Sequence, residues 1–598
     1  MCGIAGIFYK NNKSIEKHLL VELQKALKNR GPDASGRWQS TDKSWALIHT
    51  RLAIIDLDES ANQPMEDKKT NFILSFNGEI YNYIELRDML IKAGYKFHTK
   101  SDTEVLLKLY EYKGSDMFRY LRGMYAFAIV DNNKKTLFLA RDSLGIKPLY
   151  FYQDSEKIIF SSQVKSINRL SAVKTSVSSA GMVGYYIMGS VPEPFTMYNE
   201  ITCLKAGCYR EINLQDHKYV DGEHFNLPAI ISNIEKENSV KAGCPSEVLH
   251  RSLHESVKYH FVSDVPVGLF LSSGIDSSAL AAYSNEVSGE VDSFTIAFSA
   301  YTGTELDETQ YLQQITDRYN LRPTLSWIKQ QDFYDIREQF YTAMDQPTID
   351  GLNTFLVSKF ASTAGLKVAM SGLGGDELFG GYPGFNQIPR IVNFNNKISL
   401  PAGIARTIRK LSHPIIKRFS SPKYSSFFEY GNSYGQAYLL RRALHLPWEL
   451  TEFVDVDVLT EGLEALNLTE RLKSSESAIK NPQLKITSLE MSWYMRNQLL
   501  RDSDWASMHH SLELRVPLVD KVLLSQLLPC VLGAKGLTKQ DFARSPAKKL
   551  PEAVVNRKKS GFAVPVRDWM SGDGNTIDSR RGLRGWSHHV MSQYQKVA

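Results

Sequence analysis

The chain has 598 residues, 43% of them hydrophobic and 23% charged, with 38 glycines and 22 prolines. That is ordinary globular usage, so collagen-like, low-complexity and wholly disordered chains are excluded, and the length exceeds one compact domain. A net charge of +6 is mild at this length and does not argue for a nucleic-acid partner, which needs a basic patch.

Residues 15–29 place Ile15, Leu19, Leu23 and Leu27 on one face, which predicts a helix capped by Ser14 and ended at Gly31. The runs MYAFAIV (124–130) and TLFLA (136–140) flank a polar five-residue turn, a hairpin signal. Strands and helices do not alternate regularly over the first 200 residues, so mainly antiparallel sheet is expected. Residues 213–245 are polar and turn-rich and read as a linker between domains spanning 1–212 and 246–573. Residues 246–258 predict an amphipathic helix through Val248, Leu249, Leu253 and Val257. VGLFL (267–271), SFTIAF (293–298), TLSWI (324–328) and KVAM (367–370) read as buried strands separated by helices. Such alternation argues a doubly wound parallel sheet. Beyond about 390 the pattern is mostly helical, and 574–598 is a polar tail.

Five cysteines (Cys2, Cys203, Cys208, Cys244, Cys530) are too few and too scattered for a disulfide framework or a zinc site. No apolar run approaches the ~18 residues of a membrane span. The opening MCGIAGIFYK lacks the basic start of a signal peptide. A reducing cytoplasm is therefore the expected location.

Cys2 becomes chemically distinctive if Met1 is removed. Its α-amine, with a reference pKa near ~7.7–8.0, can then act as base for its own thiol. Asn77 and Gly78 in NGEIYN read as a turn offering an amide and a backbone N–H as oxyanion donors. Arg51 can grip a carboxylate bidentately. Asp102 can hold an ammonium, although Ser101 and Glu104 have capping-box spacing and give Asp102 a simpler role at a helix start.

The segments MCGIAG (1–6), RGPD (30–33), RLAIID (51–56), NGEIYN (77–82), SDTE (101–104) and RDSLGIKPLY (141–150) together resemble the class II glutamine amidotransferase domain, an α+β N-terminal-nucleophile fold of antiparallel sheets and helices. The resemblance implies that Cys2 attacks the glutamine side-chain amide and that Asn77 and Gly78 stabilise the oxyanion. It places glutamine against Arg51, Leu52, Ile55, Asn77, Gly78, Glu79 and Asp102.

Two loops follow predicted strands: Ser272-Ser273-Gly274-Ile275-Asp276-Ser277-Ser278 and Ser371-Gly372-Leu373-Gly374-Gly375-Asp376-Glu377. Small residues let backbone N–H groups approach phosphate, and a helix N-terminus favours the charge. In a doubly wound sheet both loops meet at the carboxyl ends of the strands. There Asp276 and Asp376 suit Mg²⁺ held largely through phosphates and water.

With SLELRVPLVD (511–520) and RKKSGFAVP (557–565), these loops resemble the pyrophosphate-loop ATP pyrophosphatases, and specifically the asparagine synthetase family. The resemblance implies an α/β domain with a helical C-terminal part, and ATP contacts at Leu271, Ser272, Ser273, Gly274, Asp276, Ser277, Ser278, Ile296, Ser371 and Gly372. It makes Lys559 the lysine that neutralises charge near the α-phosphate. The implied partners are glutamine, ATP and a carboxylate acceptor, with a homodimer open. The acceptor carboxylate is adenylated and then aminated by ammonia from the first domain.

The family usually has Glu where this chain has Leu373, Glu where it has Gln163, Gly where it has Ser273, and Arg or Lys where it has Trp505. These departures leave two acceptors in view: aspartate, or another carboxylate such as a uronic acid of a bacterial surface polysaccharide. Retention of Asp276, Asp376 and Lys559 speaks against a regulatory protein with a dead synthetase domain. The glutaminase half speaks against a nucleic-acid-modifying ATPase.

Overall fold

Successive residues of a strand face opposite sides of its sheet, and the first strand, Gly3–Tyr9, is buried on both sides. Ile4 and Phe8 pack with Ile73, Ala126, Val130 and Leu139 of a second sheet. Ala5, Ile7 and Tyr9 pack with Leu19, Leu20 and Leu23 of the helix Lys17–Leu27. That double burial explains why GIAGIFY is nearly all apolar.

In this computed structural model the described residues are 2–237, 246–532, 536–557, 564–566, 569 and 582–597. Lys559 and Cys244 lie outside them. The first sheet runs, in spatial order, Ile201–Cys203, Tyr150–Gln153, Lys157–Ser161, Gly3–Tyr9, Trp45–Arg51 and Ala34–Gln39, all antiparallel. The second runs Tyr219–Glu223, Cys208–Asn213, Thr136–Arg141, Gly123–Asp131, Phe72–Ile80 and Met65–Asp67, also antiparallel. Helices Tyr83–Lys92 and Asp102–Lys113 cover its outer face through Leu86, Leu90, Val105 and Leu109. The result is two face-to-face sheets between helical layers.

The second half holds a five-stranded parallel sheet ordered Leu321–Ile328, Val291–Phe298, Val267–Phe270, Val368–Met370 and Glu513–Arg515. Helix Ile275–Ser288 packs in the core containing Leu269, Val368 and Met370. Ala361 of helix Leu352–Thr363 packs with Phe294 and Ala369 in a separate cluster. The doubly wound expectation thus holds.

Several local expectations are corrected. The first helix starts at Lys17, after Glu16 rather than Ser14. Asn77 and Gly78 form no turn: they lie inside the strand Phe72–Ile80, opposite Ala126 and Tyr125. Residues 213–237 are more than a linker, since Tyr219–Glu223 completes the second sheet and helix Leu227–Glu237 buries Leu227 and Ile231. The polar tail contains the helix Arg584–Val597, whose Trp586, Val590, Met591 and Tyr594 are buried. Cys2, Cys203 and Cys208 are free thiols, whereas Cys530 is disulfide-bonded, a departure from the reduced state expected.

Candidate functional site

Strand pairing brings the N-terminal residues together. Gly3 sits opposite Thr50, and a Cβ on Gly3 would lie 2.6 Å from the Thr50 hydroxyl, so this glycine lets the chain start lie close against its neighbour. The Cys2 main-chain N–H donates to Asn77 Oδ1 at 3.1 Å. With its oxygen so committed, the Asn77 amide presents Nδ2, which is buried and has no hydrogen-bond partner among the described residues. A buried orphan donor is costly, and here it lies beside the thiol-bearing residue. Burial pushes the Cys2 thiol pKa up, so an adjacent base is needed to generate thiolate.

A small cleft is lined by Cys2, Arg51, Leu52, Ile55, Gly78, Glu79 and Asp102, together with Gln63, Ser101 and Thr103. All the glutamine-cleft residues named from sequence therefore meet, Asn77 through its bond to Cys2. Arg51 is no surface side chain. It is buried, and its Nη1 donates to Asp58 O and Asn62 Oδ1, both at 2.9 Å. Asp102 opens its helix after the Ser101 cap and accepts the Ile80 N–H at 3.0 Å. Burial holds its carboxyl up at about 6. Burial, with Glu513 and Asp102 nearby, also pushes Glu79 well up.

Two cavities of similar volume, about 670 and 640 Å³, are lined mostly by residues of the second half; Met188, Ser190 and Pro192 of the first half also line the former. The 640 Å³ cavity holds the two loops. Leu271, Ser272, Ser273, Gly274, Asp276, Ser277, Ile296, Ser371, Gly372 and Asp376 all line it. Ser278 does not: its side chain is fully buried on the helix. Ser277 Oγ donates to Ser272 O at 2.8 Å and accepts the Ser272 N–H at 3.1 Å, which fixes the first loop. Helix Ile275–Ser288 begins with no side-chain cap, leaving a helix N-terminus suited to phosphate. A Cβ on Gly372 would approach Asp276 Cβ to 2.9 Å, so glycine permits the two loops to touch.

Sequence reasoning missed three polar residues here. Lys539 bridges Asp276 and Asp376, lying 2.9 Å from Asp376 Oδ1. Glu308 and Arg557 pair at 3.4 Å and both bond Ser273. Only the spacing of strand, loop and distant basic residue signalled these contacts, and spacing alone does not fold the 260-odd intervening residues. Trp505 is a core residue: its ring nitrogen donates to Asp502 at 2.9 Å and its ring packs near Phe340. Leu373 lines the two-loop cavity. Glu377 lines it too, accepting the Tyr382 hydroxyl at 2.8 Å.

The halves are joined by buried charge. Arg30 donates to Cys2 O at 3.1 Å and grips Asp504 through both terminal nitrogens at 2.7 and 3.0 Å. Arg515, held by Glu513 at 2.5 Å, lies 3.7 Å from Glu79.

A glutamine amidotransferase domain family matches residues 1–249, and an asparagine synthase family matches residues 248–582. Asparagine synthetase [glutamine-hydrolyzing] 1 of Bacillus subtilis is 30% identical over 608 residues, covering 100% of this chain and 91% of that protein. A putative asparagine synthetase of Mycobacterium tuberculosis is 29% identical, covering 91% of this chain and 83% of its own. Asparagine synthetase B of Escherichia coli is 29% identical over 69% of this chain and 68% of its own. Family matches that together account for 1–582, and a relative aligned along the whole chain, fix the conclusion: this chain belongs to the glutamine-hydrolysing asparagine synthetase family and is an enzyme of glutamine-dependent, ATP-driven amidation.

Proposed function

We propose that the chain converts aspartate to asparagine, with Cys2 as glutaminase nucleophile and the two-loop cavity as the adenylation site. The observation that carries the first half is Asn77, whose oxygen anchors Cys2 while its buried Nδ2 stays open. Cys2 sulfur attacks the glutamine amide carbon. The freed α-amine takes the thiol proton and returns it to the departing ammonia, while Asn77 Nδ2 and Gly78 stabilise the oxyanion. Water then cleaves the thioester. Arg51, Leu52, Ile55, Glu79 and Asp102 bind the remainder of glutamine.

In the second half, an acceptor carboxylate oxygen attacks the ATP α-phosphorus and pyrophosphate leaves. Ammonia then attacks the acyl carbon, the bond to AMP breaks, and the amide forms after loss of a proton. The first-loop N–H groups and the open helix N-terminus hold phosphate. Asp276 and Asp376 converge across the cavity around one cationic side chain, which is the donor set a Mg²⁺ ion needs. Bound there with ATP, the ion would neutralise phosphate charge. Lys559, the further lysine expected near the α-phosphate, lies outside the described residues.

Leu373 cannot order a polar acceptor, and Glu377, in the same cavity, keeps a carboxylate near it. The test is pyrophosphate release and asparagine formation from glutamine, ATP and aspartate, by the parent and by Leu373→Glu. Efficient asparagine formation by the parent is expected, with less than about tenfold change in Leu373→Glu. A ~10²-fold or larger gain, the scale of one acid/base group, would overturn aspartate as the acceptor. So would pyrophosphate release with a uronate but not with aspartate.

A further inference from the structure

The nucleotide cavity contains a cation of its own. Lys539 begins the helix Lys539–Arg544. Thr538 caps that helix by accepting the Asp541 N–H at 3.3 Å, and Asp541 returns the bond to Thr538 N at 2.9 Å. One turn on, Phe542 stacks on Phe379 with ring centres 4.4 Å apart and planes within 6°. Phe379 ends the short helix Gly375–Phe379 that carries Asp376. Lys539 is therefore presented from a capped, packed helix start, directly against the element that bears one of its carboxylate partners.

Its ammonium contacts Asp276 and lies 2.9 Å from Asp376 Oδ1, with only 17% of the side chain exposed. Backbone lies close against both carboxylates: a Cβ on Gly375 would come within 2.3 Å of Asp276 Oδ1, and one on Gly381 would overlap Asp376 Oδ1. Asp276, Asp376 and Lys539 carry a net charge near −1, so the pocket is largely neutralised before any metal arrives. A divalent ion held by the same two carboxylates would compete with that ammonium for them, since like charges brought to one site repel.

We infer that Lys539 is a built-in competitor for the metal: it closes the Asp276–Asp376 pair against free Mg²⁺ and yields only when nucleotide phosphates supply the negative charge that draws its ammonium away. Metal binding is then contingent on nucleotide. The inference rests on the reading that Asp276 and Asp376 hold Mg²⁺.

The test uses the full-length protein and MgCl₂ alone, followed by calorimetry and by thermal melting, with ATP added only in a separate arm. Unmodified protein is expected to show neither heat nor a melting shift with millimolar Mg²⁺ until ATP is present. Lys539→Met removes the ammonium from between the two carboxylates, so it should melt lower without metal. It should bind Mg²⁺ alone at least ~tenfold more tightly and regain its melting temperature on doing so. Lys539→Gln repeats the measurement if the methionine variant fails to fold. Adding Asp376→Asn to either variant should erase the response. Equal binding of Mg²⁺ alone by parent and variant would overturn the competitor role, as would a response that survives Asp376→Asn. If Asp376→Asn alone leaves Mg²⁺-dependent ATP binding intact, the metal assignment itself fails, a result distinct from either.

Discussion

Asn77→Ala separates the two roles proposed for one side chain. The amide oxygen accepts the Cys2 N–H at 3.1 Å, and Nδ2 is the buried donor left open beside it. Alanine removes both. Loss of one oxyanion-hole donor costs ~10²–10³ in kcat, or ~2.7–4 kcal/mol of transition-state stabilisation. Loss of the Cys2 anchor is a single neutral hydrogen bond, about 1 kcal/mol. The two effects part in a pair of assays. Glutamate release from glutamine develops an oxyanion, whereas alkylation of the Cys2 thiol by an uncharged haloacetamide does not build a tetrahedral oxyanion. Glutaminase kcat should fall ~10²–10³-fold, while the alkylation rate changes by no more than roughly fivefold, the equivalent of about 1 kcal/mol. Amidation from added ammonium should persist. If alkylation and glutaminase fall by the same large factor, Asn77 acts by placing Cys2 and the oxyanion assignment is wrong.

Two other expectations follow from the same cleft. Cys2→Ala should abolish glutamine-dependent amidation and spare synthesis from ammonium, with the mature protein beginning at Cys2 by mass spectrometry; residual glutaminase activity in that variant would refute the nucleophile. Asp102, with its pKa raised by burial to about 6, must be ionised to hold the glutamine ammonium, so KM for glutamine should rise as pH falls through about 6. Asp102→Asn should raise KM and remove that inflection. The same raised pKa has a stability consequence. The folded state binds the Asp102 proton more tightly than the unfolded chain does, so this group's contribution is fully present below about 4 and is lost as pH rises through about 6.

The architecture was legible because burial writes itself into sequence. VGLFL, SFTIAF and KVAM are short apolar runs between helices, and each is a strand of the parallel sheet. The fifth strand, Glu513–Arg515, escaped because its sequence ELR reads as polar. Its charges are buried only because they pair with one another and with Glu79. Asn77-Gly78 misled for a related reason: the dipeptide favours turns locally, but Asn77 is fully buried and bonded to Cys2, 75 residues away. The helix Arg584–Val597 looked like a tail because its apolar residues are few. They are large, and Trp586 and Tyr594 fill one core cluster. The loops themselves were found correctly, since Gly and Ser after a strand declare a close backbone approach. Their cationic partners Lys539 and Arg557 were not, because no local pattern ties them to residues more than 160 positions earlier.

The joint between the halves bears directly on the chemistry. Arg30 bonds the Cys2 carbonyl and, bidentately, Asp504; Lys147 lies 3.6 Å from the same carboxylate. Arg515 does the equivalent on the other side. Its carbonyl accepts the N–H of Ser371, where the second nucleotide loop begins, at 2.9 Å. Its guanidinium donates to His260 O and Val262 O at 2.8 and 2.7 Å and faces Glu79 in the glutamine cleft. Arg30, Asp504, Arg515, Glu513 and Glu79 are all buried. Removing one partner from a buried ion pair strands the other, at about 3–5 kcal/mol. Sliding the halves apart would strand several at once. The second loop and the wall of the thiol cleft are therefore tied through one buried arginine. The thiol cleft is thus held against the two-loop cavity by charged groups that cannot be separated cheaply.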